Sequence, residues 1–498
     1  MKGTKSIQAG WILLAAGLIA KGIGALYRLP LTNLLGTTGM GGYQLVFPVY
    51  ALLLAVTSSA MPTLLSRQIA RDGTFGYGVF WTSLKVLGLI GLAGGVLLAA
   101  LAYPLARLQG YTEAWWGYLV LAPAVPMVAV GAAFKGWFGA GLHAGTLASV
   151  GLVEQVVKLS GLLAAYLLKA KGLVWQTTGA LFGVTLAEAA ALLWLVIAYF
   201  AFGYRLRRPE VNIGWLPVFK ASVPITAANL ITPLVQFCDS MLLVNLLVLY
   251  GEGRENAVGL YGVWSGAVGT LIAAPVVLTF SFASMVVPAL SKAKRQRDIQ
   301  AVKGSSRDTL WTVVALSLPL AVGLALVAPR LIPLLYPRLG EAEMDLAVLL
   351  LAVGCLSIPL TALQQLYGAM LTALDKSVTV VRHLVLAAIV RVGLALVLVR
   401  IGIVGASIAN IVGMGLALLL NATSYYRLVG RVVLPAKWWR AVLATLVMAG
   451  VVAPICYYFD NNLWSTVLCC LLGGAVYATI IFATAIRRRK APGLQDSG

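Results

Sequence analysis

The chain has 498 residues, of which 60% are hydrophobic and only 11% charged, with a mean hydropathy of +0.92. Soluble domains are about half apolar and about a quarter charged, so this composition excludes a soluble enzyme and indicates an integral membrane protein with no folded soluble domain. The formal net charge of +21 would suggest nucleic acid in a soluble protein. Cytoplasmic connections of membrane proteins are themselves rich in Lys and Arg, however, and no nucleic-acid partner is expected.

A spanning helix needs about 20 mostly apolar residues. The chain offers about fourteen such runs: 7–29, 42–66, 77–105, 114–138, 146–168, 173–202 and 216–250, then 258–288, 309–335, 344–373, 377–399, 402–426, 438–459 and 463–486. Lys2 and Lys5 precede the first run and Lys21 interrupts it, which predicts a retained first helix rather than a cleaved signal. With the N-terminus inside, 22 Lys and Arg fall on or near inner connections and tails and 7 on or near outer ones. That asymmetry predicts both termini in the cytoplasm of a bacterial plasma membrane and an even helix number. The basic stretch 291–308 is expected to lie on the cytoplasmic leaflet, whose anionic lipids attract it. The four basic residues after Ile486 are read as a stop-transfer anchor.

The pattern repeats. Gly41–Tyr43 opens the second run as Gly259–Tyr261 opens the eighth, and the runs close on Met61-Pro62…Arg67 and Val287-Pro288…Lys292. Phe138-Gly139-Ala140 matches Tyr367-Gly368-Ala369, and Lys158 matches Arg391, with offsets drifting from 218 to 233. Six helices separate each pair, so the copies share one orientation. The sequence therefore predicts an all-α polytopic protein of two parallel six-helix lobes, 1–208 and 209–431, with two further helices and a basic tail in 432–498. Such an architecture suits alternating access at the lobe interface more than catalysis.

Ionisable side chains inside spanning helices are costly and face a cavity or a partner. Lys21 and Arg28 are seven residues apart, two turns, so they project from one face of the first helix. They form a candidate cationic wall for an anionic head group, Arg28 alternatively snorkelling to the interface near Pro30. Asp239 is central in the seventh helix. It reads as a gate or a coupling-cation site for sodium or protons, or as a static pair with Arg391 or Arg382. Glu154 and Lys158 stand at i, i+4 and are expected to pair with each other. Lys85, Lys135 and Lys220 read as interfacial, and Glu188 shows no partner in the sequence.

Other chemistry is missing from the sequence. The two histidines, His143 and His383, lack metal-ligand spacing, and the five cysteines all fall in apolar runs, as buried free thiols do. There is no P-loop, no Gly-x-Ser-x-Gly elbow and no paired catalytic carboxylates, so a glycosyltransferase or ligase is disfavoured. Gly91-x-x-x-Gly95 reads as a helix-packing motif.

KGIGALYRLPLTNLLGTTGMGGYQLVFPVY at 21–50 and SSAMPTLLSRQIA at 58–70 resemble the stage V sporulation protein B branch of the multidrug/oligosaccharidyl-lipid/polysaccharide exporter superfamily, a branch similar to the MurJ-type lipid II flippases. The resemblance implies two lobes in a V around a cationic cavity. It implies flipping of undecaprenyl-linked peptidoglycan precursor, with Lys21 and Arg28 as the matching cations and Asp239 as the matching acid for sodium coupling. It also leaves open a flippase for another polyprenyl-linked polysaccharide, or a drug/ion antiporter of the superfamily. In one respect the chain departs from the resemblance. The runs 42–66 and 258–288 carry no charge, so the cavity is less cationic than is typical of cell-wall flippases. No cofactor is expected beyond a coupling cation, and the expected partners are a lipid-linked glycan and membrane lipids, with the chain a monomer.

Overall fold

The computed structural model describes residues 2–71, 76–206, 215–284, 286–430, 438–459 and 461–489. The side chains of Lys21 and Arg71 are outside the described residues, as are residues 207 and 208 and the end of the basic tail from 490 onward. Among the described residues thirteen helical runs are long and apolar enough to cross a membrane, and there is no strand. The first run, Gly22–Ala70, has 49 residues, too many for one crossing of a core about 30 Å thick. It breaks at Gly36, whose φ of 68° and ψ of −175° suit a residue without Cβ. One run thus carries the first two predicted spans, and the all-α multi-pass architecture read from the sequence stands.

The helices are α1 (Lys2–Thr57), α2 (Met61–Arg71), α3 (Gly76–Ala100), α4 (Ala102–Leu108), α5 (Trp115–Leu121), α6 (Ala124–Ala140), α7 (Ala144–Lys158), α8 (Ser160–Leu167), α9 (Leu173–Ala201) and α10 (Trp215–Leu249). They continue as α11 (Arg254–Tyr261), α12 (Gly269–Ser284), α13 (Val286–Arg295), α14 (Ile299–Leu335), α15 (Glu341–Gly354), α16 (Ser357–Ala373), α17 (Ser377–Leu398), α18 (Ile403–Val429), α19 (Trp439–Tyr458) and α20 (Leu463–Arg489). A π-helical stretch, Gly262–Val268, joins α11 to α12. The predicted fourth and tenth spans are each broken once, at 122–123 and 355–356, the first before a Pro-containing turn of α6.

Two compact units result, Met1–Ala267 and Val268–Gly498. The sequence division at 208/209 follows the repeat. The compact units follow contacts, and α10 and α11 pack on α1 inside the first unit. Within each unit the same pairings recur: α3 with α6 and α2 with α6 in the first, α14 with α16 and α13 with α16 in the second. The expected Gly91/Gly95 motif is one such crossing. A Cβ on Gly91 would lie 2.6 Å from Ala129 Cβ, and one on Gly95 would lie 2.7 Å from the Ala122 carbonyl. In hydrocarbon, close backbone approach through small residues is what holds helices together. Further along, α7–α8 crosses α9 at Gly161 and Gly183, and α17 crosses α18 where Gly413 admits the stem of Arg391.

The connection expected to lie on the leaflet at 291–308 is shorter than predicted. α13 runs on to Arg295, and α14 begins at Ile299 behind the N-cap Asp298, which accepts from Ala301 N at 2.9 Å. Val286, Leu290 and Ala293 are buried on one side of α13, and Lys294 pairs with Asp375. An amphipathic face and a cap turned this polar stretch into helix. In the second unit Arg330 is 4% exposed. It donates to the carbonyls of Cys456, Ile455 and Phe459 and to Ser465 Oγ, tying α14 to α19 and α20.

Candidate functional site

Gln155 on α7 packs against Gly24 on the first arm of α1, one turn before Arg28. Tyr27 follows on that arm, its hydroxyl against Gly161 of α8. The second arm of α1 presents Tyr43, Phe47 and Tyr50, spaced to share one helix face. Tyr43 and Phe47 have centroids 4.8 Å apart, and Phe47 and Tyr50 meet edge-on at 6.4 Å. The two arms thus supply an aromatic wall.

Lys158, at the end of α7, extends into this wall. Its Nζ stands 5.6 Å from the Tyr27 centroid and 5.5 Å from that of Phe47. Cation–π contact of this kind holds an ammonium without neutralising it. The i, i+4 ion pair expected between Glu154 and Lys158 is not closed. Glu154 instead accepts from Gln155 Nε2 at 3.2 Å. The residue positions allow the pair, but the lysine's longer reach lets it turn to the rings.

Lys158 is within electrostatic reach of Arg28, Glu154 and Glu188, and Glu188 on α9 is within reach of Glu154, Lys135 and Lys158. Tyr50 is also within electrostatic reach of both carboxylates. The structure therefore gathers Arg28, Lys135 and Lys158 with Glu154 and Glu188. Three cations face two acids, and the excess positive charge sits in the membrane part of the first unit. Glu188 gains the partners its sequence context did not show, and Lys135, read as interfacial, is half-buried beside it. Lys85 is exposed and lies over the Trp81 ring at 5.2 Å, as an interfacial lysine does.

Of the predicted site residues, Arg28 joins this cluster. Lys21 lies on α1, its side chain outside the described residues. Asp239 is buried on α10 in the first unit and Arg391 is buried on α17 in the second, at 7% and 8% exposure. The sequence did not reveal the contact of Lys158 with the aromatic wall. The spacing of Tyr43, Phe47 and Tyr50 was the available sign. The two histidines have structural partners: His143 meets Tyr204, and His383 meets Asn421 and Ser424. Among the described residues no group of three His, Cys, Asp or Glu could hold a metal.

Just past the break of α1 at Gly36 the repeat motifs meet each other. Gly262 faces the Thr37 carbonyl and the Gly41 backbone, and Gly41 faces the Val258 carbonyl. Gln44 Nε2 donates to the Ser265 carbonyl at 3.1 Å. Beside this seam a buried network fixes α10. Gln109 Nε2 donates to the Leu45 carbonyl at 2.8 Å and to Ser240 Oγ at 3.1 Å, and Tyr118 OH donates to Gln109 Oε1 at 2.7 Å. Asn245 Nδ2 donates to the Leu108 carbonyl at 2.7 Å.

The family described as Polysaccharide biosynthesis protein matches residues 7–294. The chain belongs to this family. It falls in the stage V sporulation protein B/MurJ-like branch of the multidrug/oligosaccharidyl-lipid/polysaccharide exporter superfamily. Stage V sporulation protein B of Bacillus subtilis (strain 168) is 24% identical over 89% of this chain and 87% of its own length. Lipid II flippase MurJ of the same organism is 22% identical over 99% of each. Among solved structures, Lipid II flippase MurJ in an inward closed conformation superposes with a TM-score of 0.74 at 16% identity, covering 95% of this chain and 99% of that one. An inward-facing multidrug resistance MATE transporter gives 0.68 at 16%, covering 82% and 94%. These neighbours establish the fold, and the family relationship makes the chain a flippase-like transporter of polysaccharide or lipid-linked precursors rather than an enzyme.

Proposed function

We propose that this protein carries a polyprenyl-linked peptidoglycan precursor, lipid II, from the inner to the outer leaflet by alternating access, with its pyrophosphate held by Arg28 and Lys158. The observation that carries this reading is the uncompensated positive charge of the Arg28, Lys135, Lys158, Glu154 and Glu188 cluster. A net charge within membrane-spanning helices is expensive unless a partner arrives. A diphosphate supplies that partner through charge-assisted hydrogen bonds, while the aromatic wall shields it from water. The lipid tail stays in the bilayer, so only the polar head needs the protein. Lys21 is the further candidate on the same helix face.

A second reading within the family, a carrier for another polyprenyl-linked polysaccharide, is favoured by the two carboxylates in the cluster, which lower its charge. A cationic-drug exporter is disfavoured by Arg28 and Lys158 themselves. In this reading the chain acts as a monomer with both termini in the cytoplasm.

Depleting the protein in cells that depend on it, followed by a leaflet-accessibility assay for lipid II, tests the substrate. Lipid II trapped in the inner leaflet is the expected result. Unchanged lipid II exposure with retention of another polyprenyl-linked glycan would select the second reading.

We further propose that coupling runs through Asp239, an acid buried on α10 of the first unit. Asp239→Asn is expected to remove the dependence of transport on a sodium or proton gradient while leaving gradient-independent exchange. Transport that keeps its full ion dependence in Asp239→Asn would make the residue structural.

A further inference from the structure

Where α3–α4, α5 and the start of α9 meet, an open cavity of about 450 Å³ is lined by Tyr103, Trp115, Trp116, Trp175, Glu113 and Lys171. We propose that it is a docking site for an uncharged oligosaccharide, a glycan subsite separate from the charged cluster. For its ligand class the inference rests on the lipid-linked glycan reading above.

The rings are built into one surface. Trp115 and Trp116 have centroids 4.1 Å apart, Trp116 and Trp175 are 5.1 Å apart, and Tyr103 meets Trp115 edge-on at 6.5 Å. Trp175 is 40% exposed and Tyr103 53%, so their faces are available. Two short 3-10 turns position the polar groups: Thr112–Ala114 carries Glu113, and Lys169–Lys171 carries Lys171 before Gly172 at φ 96°. The volume falls within the range of about 300–1,000 Å³ usual for small-molecule sites.

Tryptophans at a membrane interface commonly anchor a helix in the headgroup layer. An anchor needs each ring to reach lipid separately. Here three indoles from two chain segments overlap and share one concave wall. The charges narrow the occupant. Glu113 repels a phosphate, and Lys171 repels an ammonium. The two are not paired with each other among the described residues. An acceptor and a donor flanking aromatic faces suit a neutral polyhydroxylated ring: its C–H face packs on the negative face of the indoles, and its hydroxyls meet the carboxylate and the amine. The cavity also adjoins the bend of α1 after Gly36, since Leu173 packs on Gly39 and Tyr111 on Gly42. A glycan emerging at that bend would meet it.

The test uses the full chain in phosphatidylcholine nanodiscs, with chitotetraose as the probe and intrinsic tryptophan fluorescence and calorimetry as readouts. Saturable quenching with a Kd near ~1 mM or tighter is expected. Trp116→Ala and Glu113→Gln should each weaken it about tenfold, and Trp175→Phe should retain most of it. Glu113→Gln keeps the measurement decisive should a Trp variant fail to fold. Absence of saturable quenching, or quenching reversed by phosphorylcholine rather than by excess saccharide, would overturn the proposal. Lipid-linked glycan transport measured in parallel separates the two readings. Transport without chitotetraose binding rejects this site alone, and binding without transport rejects the flippase reading alone.

Discussion

Lys158→Met should slow delivery of the lipid-linked glycan to the outer leaflet by about 10- to 150-fold while the protein still inserts. Methionine keeps most of the stem that crosses Tyr27 and Phe47, and it packs well beside aromatic rings. What it removes is the ammonium. A hydrogen bond to a charged group contributes about 1.5–3 kcal/mol, so losing one phosphate contact corresponds to about 10- to 150-fold in the rate at limiting substrate. Arg28→Ala should fall in the same range, and Lys158→Arg should retain part of the activity. One competing account makes Lys158 only the counter-charge that keeps Glu188 and Glu154 tolerable in the membrane. Removing one partner of a buried pair costs about 3–5 kcal/mol, and that cost would appear as lower thermal stability in detergent. The double variant Lys158→Met, Glu188→Gln separates the accounts. It should regain stability and stay slow if the ammonium binds phosphate. Complementation of a flippase-depleted cell by that double variant, or by Lys158→Met together with Arg28→Ala, would eliminate the phosphate-binding role.

How much of this was legible beforehand differs by level. Hydropathy placed nearly every span, because about 20 apolar residues leave few alternatives to a crossing helix. The Gly-x-Tyr repeat found the pair of segments that meet at Gly41 and Gly262. Sequence spacing fails where side-chain direction matters. Glu154 and Lys158 share a helix face, and spacing alone pairs them, yet the lysine is drawn to Tyr27 and Phe47 on another helix. Glu188 looked isolated because its neighbours, Lys135 and Lys158, come from α6 and α7. The stretch 291–308 looked like a surface loop because its charges dominate its composition. An N-cap at Asp298 and an apolar stripe on α13 made it helix. Arg330, near the outer end of the predicted span 309–335, is buried as a strut between α14 and the last two helices. Contacts between distant segments carry the differences at Lys158, Glu188 and Arg330, and no periodicity encodes those.

Gly262→Ala should open the seam between α1 and α11 without unfolding the first unit. A methyl at Gly262 would fall on the Thr37 carbonyl and lie 2.6 Å from Gly41 N and 3.0 Å from Gly41 Cα. All three are backbone atoms, which cannot swing aside as a side-chain end does. Overpacking of this kind costs about 1–3 kcal/mol, enough to multiply the population of a seam-open form by roughly 5- to 150-fold. The π-helical turn at Gly262–Val268 lies at this contact, and such turns frequently mark places where a helix must change shape. Gly183→Ala is the comparison. Its methyl would fall on the Gly161 backbone at the α8–α9 crossing, which lies in the packed interior of the unit, so it should lower the thermal midpoint directly. In a cysteine-free background carrying Ser265→Cys, an impermeant maleimide reads the seam. Gly262→Ala should label several-fold faster than the parent at an unchanged midpoint, with transport impaired. Gly183→Ala should lower the midpoint with no selective change in labelling. If Gly262→Ala lowers the midpoint as far as Gly183→Ala does and labels no faster, the Gly41–Gly262 contact is fixed core packing, and the moving element must lie elsewhere in the bundle.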